Sequence, residues 1–230
     1  MPRFVRSCVT WGADVCILWT DVREGWMLVD HIIYAAPDLD SAVDDLETRL
    51  GVRAAGGGQH IGQGTHNKLL ALGPATYLEI IAPDPNQPDP AAPRPYGVEG
   101  VARAGLVGWA LTTDDIQAAI ADARAKGFDP GPVIDGHRLT SDGIELRWQL
   151  TSNALTAGVI PFLISWGATP HPAASAPIGL TLESLHIQHP DPKSLRGPLQ
   201  ALGADVKVRG ATESALVAHL HGPRGRSELR

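Results

Sequence analysis

The feature that most constrains this chain is a pattern that occurs three times: an apolar strand, an aspartate-bearing turn, a capped helix, a helix stop, then further strands. The first copy opens at Asp30-His31-Ile32-Ile33-Tyr34-Ala35-Ala36-Pro37-Asp38-Leu39-Asp40. Asp38 or Asp40 caps a helix predicted over 41–50, and Gly51 ends it. The second opens at Gly105-Leu106-Val107-Gly108-Trp109-Ala110-Leu111, ahead of a helix whose Ile116, Ala119, Ile120 and Ala123 share one face. The third opens at Leu182-Glu183-Ser184-Leu185-His186-Ile187, with a helix from about 192 to 202. The spacing is too irregular for a solenoid. One copy alone leaves the sheet face opposite its helix apolar and exposed, so two copies should pair and close a curved sheet around a cleft.

Within the first copy, a second strand begins at 52–55 and a glycine-dense turn runs from Gly56 to Asn67. Two further strands, 68–72 and 75–81, are joined at Gly73-Pro74. The glycine-dense turn lacks the Lys-Ser/Thr ending and following helix of a phosphate loop. Six prolines between Pro83 and Pro95 exclude a central strand there, so 86–104 reads as a surface linker. The second copy continues with strand signals near 131–139, at 144–150 and at 160–166. The third offers strands at 204–209 and 214–221 and looks truncated. The expected organisation is therefore an N-terminal extension of little fixed structure over 1–26, a βαβββ module over 27–85, the linker over 86–104, a second βαβββ-like module over 105–168 and a partial βαββ module over 169–230.

The first 26 residues hold both cysteines and three of the six tryptophans. Asp14 interrupts their apolar stretch and no small-x-small site follows, which favours an upstream extension over a signal peptide. Without a cysteine after Cys16, the body carries no disulfide, as suits a reducing cytoplasm. A formal charge of -6 argues against nucleic acid or an anionic membrane as partner and leaves small molecules. No run reaches the roughly 18 to 20 apolar residues of a bilayer span.

The chain resembles the vicinal-oxygen-chelate superfamily (glyoxalase, bleomycin-resistance and extradiol-dioxygenase proteins), and more closely its glyoxalase-like domain branch. The resemblance is carried by the Asp30-His31 strand with Pro37-Asp38-Leu39-Asp40, by Gly56-Gly57-Gly58-Gln59-His60 running into Gly64-Thr65-His66-Asn67, and by Tyr77-Leu78-Glu79. Further along it rests on Asp142-Gly143 with Leu146-Arg147-Trp148, and on Pro161-Phe162-Leu163-Ile164-Ser165-Trp166. It covers about 27–166 well and the tail weakly. It implies an α+β fold in which paired βαβββ modules close a curved mixed sheet around a cleft.

The resemblance also implies that a first-strand histidine and a fourth-strand glutamate share one divalent metal, here His31 and Glu79. Strand parity separately places His31 with Ile33 and Ala35, and Glu79 with Tyr77 and Ile81, on single faces that can look into the cleft. The second module departs from the pattern. Aligning the helix starts sets Gly108 opposite His31, and counting from the turn glycines sets Gln149 opposite Glu79. Further ligands are sought among His60, His66, His171, His186 and His189. The set His31, His66 and Glu79 would suit Fe, Mn or Zn, with Ni also in range, and would leave positions open for a bidentate substrate.

The leading expectation is a small-molecule enzyme of metal-assisted lyase, isomerase or dioxygenase chemistry, with His31 and Glu79 as the chemical groups and His66, Asn67, Arg147, Trp148 and Gln149 around the substrate. In a metal-free variant, His31 and Glu79 become a general base with its orienting partner. The rival is a metal-free protein that binds or sequesters a small molecule in the same cleft, which the loss of a second-module histidine favours. A homodimer is the assembly expected of such paired modules.

Overall fold

The computed structural model describes residues 26–140, 142–155 and 158–230. The extension expected over 1–26 lies outside the described residues except for Trp26. In the first module, β1 (Val29–Ala35) leads to α1 (Leu39–Leu50), then β2 (Ala55–His60), β3 (Thr65–Gly73) and β4 (Thr76–Pro83). The second repeats the order with β5 (Gly105–Thr112), α2 (Ile116–Ala125), β6 (Val133–Thr140), β7 (Glu145–Thr151) and β8 (Phe162–Ser165).

The eight strands close into one barrel, in the order β1-β4-β3-β2-β6-β7-β8-β5. In each module the first strand runs parallel to the fourth, β1 with β4 and β5 with β8. Antiparallel seams β1–β5 and β2–β6 join the modules. The mixed α+β architecture with a curved, closed sheet is the one the repeat predicts.

Local chemistry accounts for the helices. Asp38 is the N-cap of α1, its carboxylate accepting from Ser41 N–H at 2.8 Å, and Gly51 closes the helix at φ 80° by donating to the Glu47 carbonyl. Asp115 caps α2 in the same way through Ala118 N–H. Leu39, Val43, Leu46 and Leu50 of α1 lie on Ile32, Leu70, Leu78 and Ile80 from the outer barrel face. Each such side chain contributes about 1.5–3 kcal/mol of burial. Alternate strand residues point inward, so Ile33, Ala35, Ile81, Ala110, Phe162 and Ile164 form a second cluster inside the barrel.

Two expectations about connections are corrected. The glycine-dense segment is a strand at its start: β2 carries Gly56, Gly57 and Gly58, and at Gly57 and Gly58 a side chain would collide with the flanking backbones. A Cβ on Gly58 would sit 1.8 Å from the Leu139 carbonyl oxygen, and one on Gly57 2.0 Å from that of Asn67. The proline-rich linker, for its part, does more than connect. Its 3-10 turn Pro95–Gly100 turns Tyr96 and Val98 into the inner cluster.

The third unit comprises β9 (Thr181–His189), α3 (Arg196–Ala201), β10 (Lys207–Gly210), β11 (Ala215–Gly222) and β12 (Gly225–Leu229). Three strands follow its helix, one more than the βαββ expectation. Its sheet order, β10-β9-β11-β12, differs from that of the barrel modules. Ile187, Leu216, Ala218 and Leu220 pack into the outer core, so this sheet covers the barrel and stays clear of its interior. No helix among the described residues is long and apolar enough to cross a membrane.

Candidate active site

The barrel interior holds a cavity of about 50 Å3, room for a few waters at roughly 10–15 Å3 each. His31 and Glu79 both reach it, as their strand parity predicts. His31 is 2 % exposed and Glu79 5 %.

His31 is fixed on both faces and at one nitrogen. Its ring stacks on Tyr77 at 4.7 Å and meets the Phe162 ring edge-on at 5.5 Å. Its Nδ1 lies 2.7 Å from Asp30 Oδ1. A register shift in β1 between Val29 and His31 brings these adjacent side chains to a common point. Asp30 also accepts from Trp166 Nε1 at 3.1 Å and from His171 Nε2 at 3.2 Å. His171 Nδ1 accepts from Ala173 N–H, which leaves the proton on Nε2, facing Asp30. Burial pushes the Asp30 carboxyl up, but hydrogen bonds from His171 and His31 and the charges of those rings outweigh it and hold the group at about 2. An ionised Asp30 accepts from His31 Nδ1–H, and in the tautomer with one ring proton this leaves the Nε2 lone pair aimed into the cavity.

That lone pair faces Glu79 Oε2 at 3.8 Å. The other carboxylate oxygen accepts from Asn67 Nδ2 at 2.5 Å and lies 3.8 Å from His60 Nε2. Gly58 N–H donates to Asn67 Oδ1 at 2.9 Å and so sets the amide with its NH2 toward Glu79 and His60. His60 Nδ1 is 3.0 Å from Thr65 Oγ1. Burial pushes the His60 pKa down to about 4 against the attraction of Glu79, so its ring is neutral at neutral pH.

Of the residues expected around substrate, Asn67 and Trp148 line the cavity, whereas His66, Arg147 and Gln149 do not. His66 alternates with Asn67 on β3 and so points to the opposite face, 4.0 Å from Asp84. Arg147 is exposed and pairs with Glu145, while Gln149 is exposed and donates to Asp135. Both line an outer groove of about 300 Å3 beyond Trp148 and Trp166. His186 and His189 belong to the third sheet, where His186 stacks on His219.

Gln149 is not the counterpart of Glu79. Ile33 pairs with Glu79 on β4, and the like pairing in the second module joins Ala110 to Phe162 on β8. Where the first module has His31 and Glu79, the second has Gly108 and Phe162. The space above Gly108 is bounded by Ile33 Cδ1 and the Tyr96 ring, 3.5 Å and 3.9 Å from where a Cβ would stand. Half of the site is thus an aromatic wall.

The metal centre implied by the resemblance does not fit these residues. The set His31, His66 and Glu79 is not brought together, and among the described residues no group of three or more His, Cys, Asp or Glu is arranged to hold an ion. His60 stands where His66 was expected, but the Asn67 amide donates into the gap between His60 and Glu79, which a shared cation would need.

Three residues of the site were not singled out in the sequence for it. Tyr96 arrives from the linker, and Asp30 acts as a hydrogen-bond hub. Arg138 lines the cavity at 4 % exposure. Parity along β6 was the available signal for Arg138, which shares a face with Ile134 and Gly136.

Residues 29–203 match the model of the glyoxalase-like domain. The chain belongs to the glyoxalase-like domain family, within the vicinal-oxygen-chelate superfamily. Among solved structures, a hypothetical protein from Staphylococcus aureus is 17% identical, with a TM-score of 0.57, and the match covers 81% of this chain and 87% of that one. A Streptomyces coelicolor methylmalonyl-CoA epimerase with bound 2-nitronate-propionyl-CoA is 22% identical over 64% of this chain and 99% of its own, with a TM-score of 0.43. The methylmalonyl-CoA epimerase of Mycobacterium tuberculosis is 20% identical over 64% and 91%, at 0.39. At these identities the likeness concerns fold alone. No curated protein matches the sequence.

Proposed function

We propose that this glyoxalase-like protein is a small-molecule enzyme of the isomerase or lyase type, in which Glu79 moves a proton on a substrate held in the barrel. The observation that carries the reading is a buried carboxylate facing a cavity, held by Asn67 and set beside the Asp30–His31 couple. A carboxylate in that position takes a proton from a carbon beside a carbonyl. The electron pair of the broken C–H bond moves to the carbonyl oxygen, giving an enolate, and the proton on Glu79 returns to the same or the neighbouring carbon. His31 Nε2 relays that proton after a small side-chain adjustment closes the 3.8 Å gap, and ionised Asp30 stabilises the imidazolium that results. No step runs through a metal, because the donor set here directs protons. A reducing cytoplasm is the proposed compartment, a reading supported by the lack of cysteine after Cys16.

The test is solvent-deuterium incorporation, followed by proton NMR, across 2-oxo acids, hydroxyketones and acyl thioesters. The expected result is accelerated exchange with at least one class, reduced about 10²- to 10⁴-fold in Glu79→Gln. Undiminished exchange in the variant would refute the role of Glu79. Binding without exchange would support the second reading, sequestration, which the aromatic wall of Tyr96, Phe162 and Trp148 favours.

A further inference from the structure

Arg138 is a buried charged side chain of the cavity that the proton network leaves out. It is 4 % exposed, yet its Nη1 is buried with no hydrogen-bond partner among the described residues. A guanidinium carries five N–H groups in a rigid fork and does not give up its charge, so an unanswered one inside a barrel is costly unless something else completes it. Glu79 and Tyr77 act on it only through space, and burial pushes its pKa down. Glu79 is already engaged by Asn67. The wall beside Arg138 is fitted closely: a Cβ on Gly136 would stand 2.2 Å from Trp148 Nε1, so the glycine admits the indole that bounds the cavity next to the guanidinium.

We propose that Arg138 anchors a carboxylate of the substrate, making the ligand a small carboxylic acid whose acidic C–H is presented to Glu79. This rests on the proton-transfer reading for its chemistry, though not for its binding. The planar fork matches two carboxylate oxygens at once, which would satisfy the orphaned N–H and neutralise the buried charge. A cavity of about 50 Å3 admits an acid of a few heavy atoms and little more.

Pyruvate, pyruvamide and inorganic phosphate are the probes, titrated by NMR into the intact protein and into Arg138→Gln, Arg138→Lys and Glu79→Gln. Pyruvate should bind the wild type; it should bind Glu79→Gln no more weakly, because one negative charge beside the anion is gone, Arg138→Gln at least tenfold more weakly, and Arg138→Lys with intermediate loss. Pyruvamide should bind poorly throughout. Because the variant removes an unpaired buried cation, Arg138→Gln should melt no lower than the wild type, which confirms that it folds. Equal binding of pyruvate to wild type and Arg138→Gln, equal binding of the amide, or no binding by any protein would overturn the proposal. Phosphate binding in place of pyruvate would overturn the carboxylate assignment. Loss of deuterium exchange in Glu79→Gln with Arg138-dependent binding intact would support both readings. Binding intact without any exchange would overturn the proton transfer alone.

Discussion

Acid should loosen this protein through His60, in an amount that the fold sets. The ring is wholly enclosed beside Trp148 and bonded to Thr65, and burial lowers its pKa from 6.5 to about 4. Below pH 6.5 the unfolded chain takes up this proton while the folded chain does not. The stabilisation is therefore complete above the unfolded value and falls away as pH drops toward the folded one. At about 1.4 kcal/mol per pK unit the full displacement is worth ~3 kcal/mol, most of which is lost by roughly pH 4.5. His60→Gln keeps an amide able to meet Thr65 and Asn67 but does not titrate. Urea unfolding near pH 7 and near pH 4.5 should show the wild type losing about 2–3 kcal/mol more than the variant. Equal losses in the two proteins would refute the reasoning, for they would mean that His60 is hydrated and protonates in place.

Asp30→Ala leaves His31, Trp166 and His171 without their shared acceptor, and thermal melting should report a loss of about 3 kcal/mol or more. The wild-type carboxyl, at about 2 against 3.8 unfolded, adds an acid-labile contribution of about 2 kcal/mol that disappears as pH falls through that interval. Gly58→Ala drives a methyl into the Leu139 carbonyl and should cost at least about 2 kcal/mol by opening the β2–β6 seam, again read by melting. Leu46→Ala under α1, where the side chain is fully buried, should cost about 2–5 kcal/mol in urea. Dialysis against a strong chelator should leave the melting temperature unchanged, since the described residues bring no three or more His, Cys, Asp or Glu together to hold an ion.

The outer core was legible because it follows from periodicity. The buried face of α2 is Ile116, Ala119, Ile120 and Ala123, the four residues spaced for it, and parity put His31 and Glu79 into one cavity. Spacing misleads where the two modules place like turns between different strands. Gly73-Pro74 joins a third strand to a fourth, but Asp142-Gly143 joins a second to a third, so Gln149 fell on β7 and the true counterpart of Glu79 was Phe162. His66 and Asn67 are neighbours on one strand, and a single step of parity sends one inward and the other to Asp84. Tyr96 and His171 come from irregular segments, where no period exists to reveal which way a side chain turns. The glycines of β2 read as a turn because composition cannot distinguish a glycine that frees a loop from one that admits a neighbouring backbone.

The central claim is proton transfer by Glu79 without a metal, and the most direct measurement is the rate of solvent-deuterium incorporation by protein stripped of metals, with Glu79→Gln and metal-reloaded protein beside it. The account predicts an undiminished rate in the stripped wild type, no gain on reloading with iron, manganese, zinc or nickel, and a loss of about 10²-fold or more in the variant. A rate that vanishes on stripping and returns with one of those metals would contradict it and restore a metal centre at His31, His60 and Glu79.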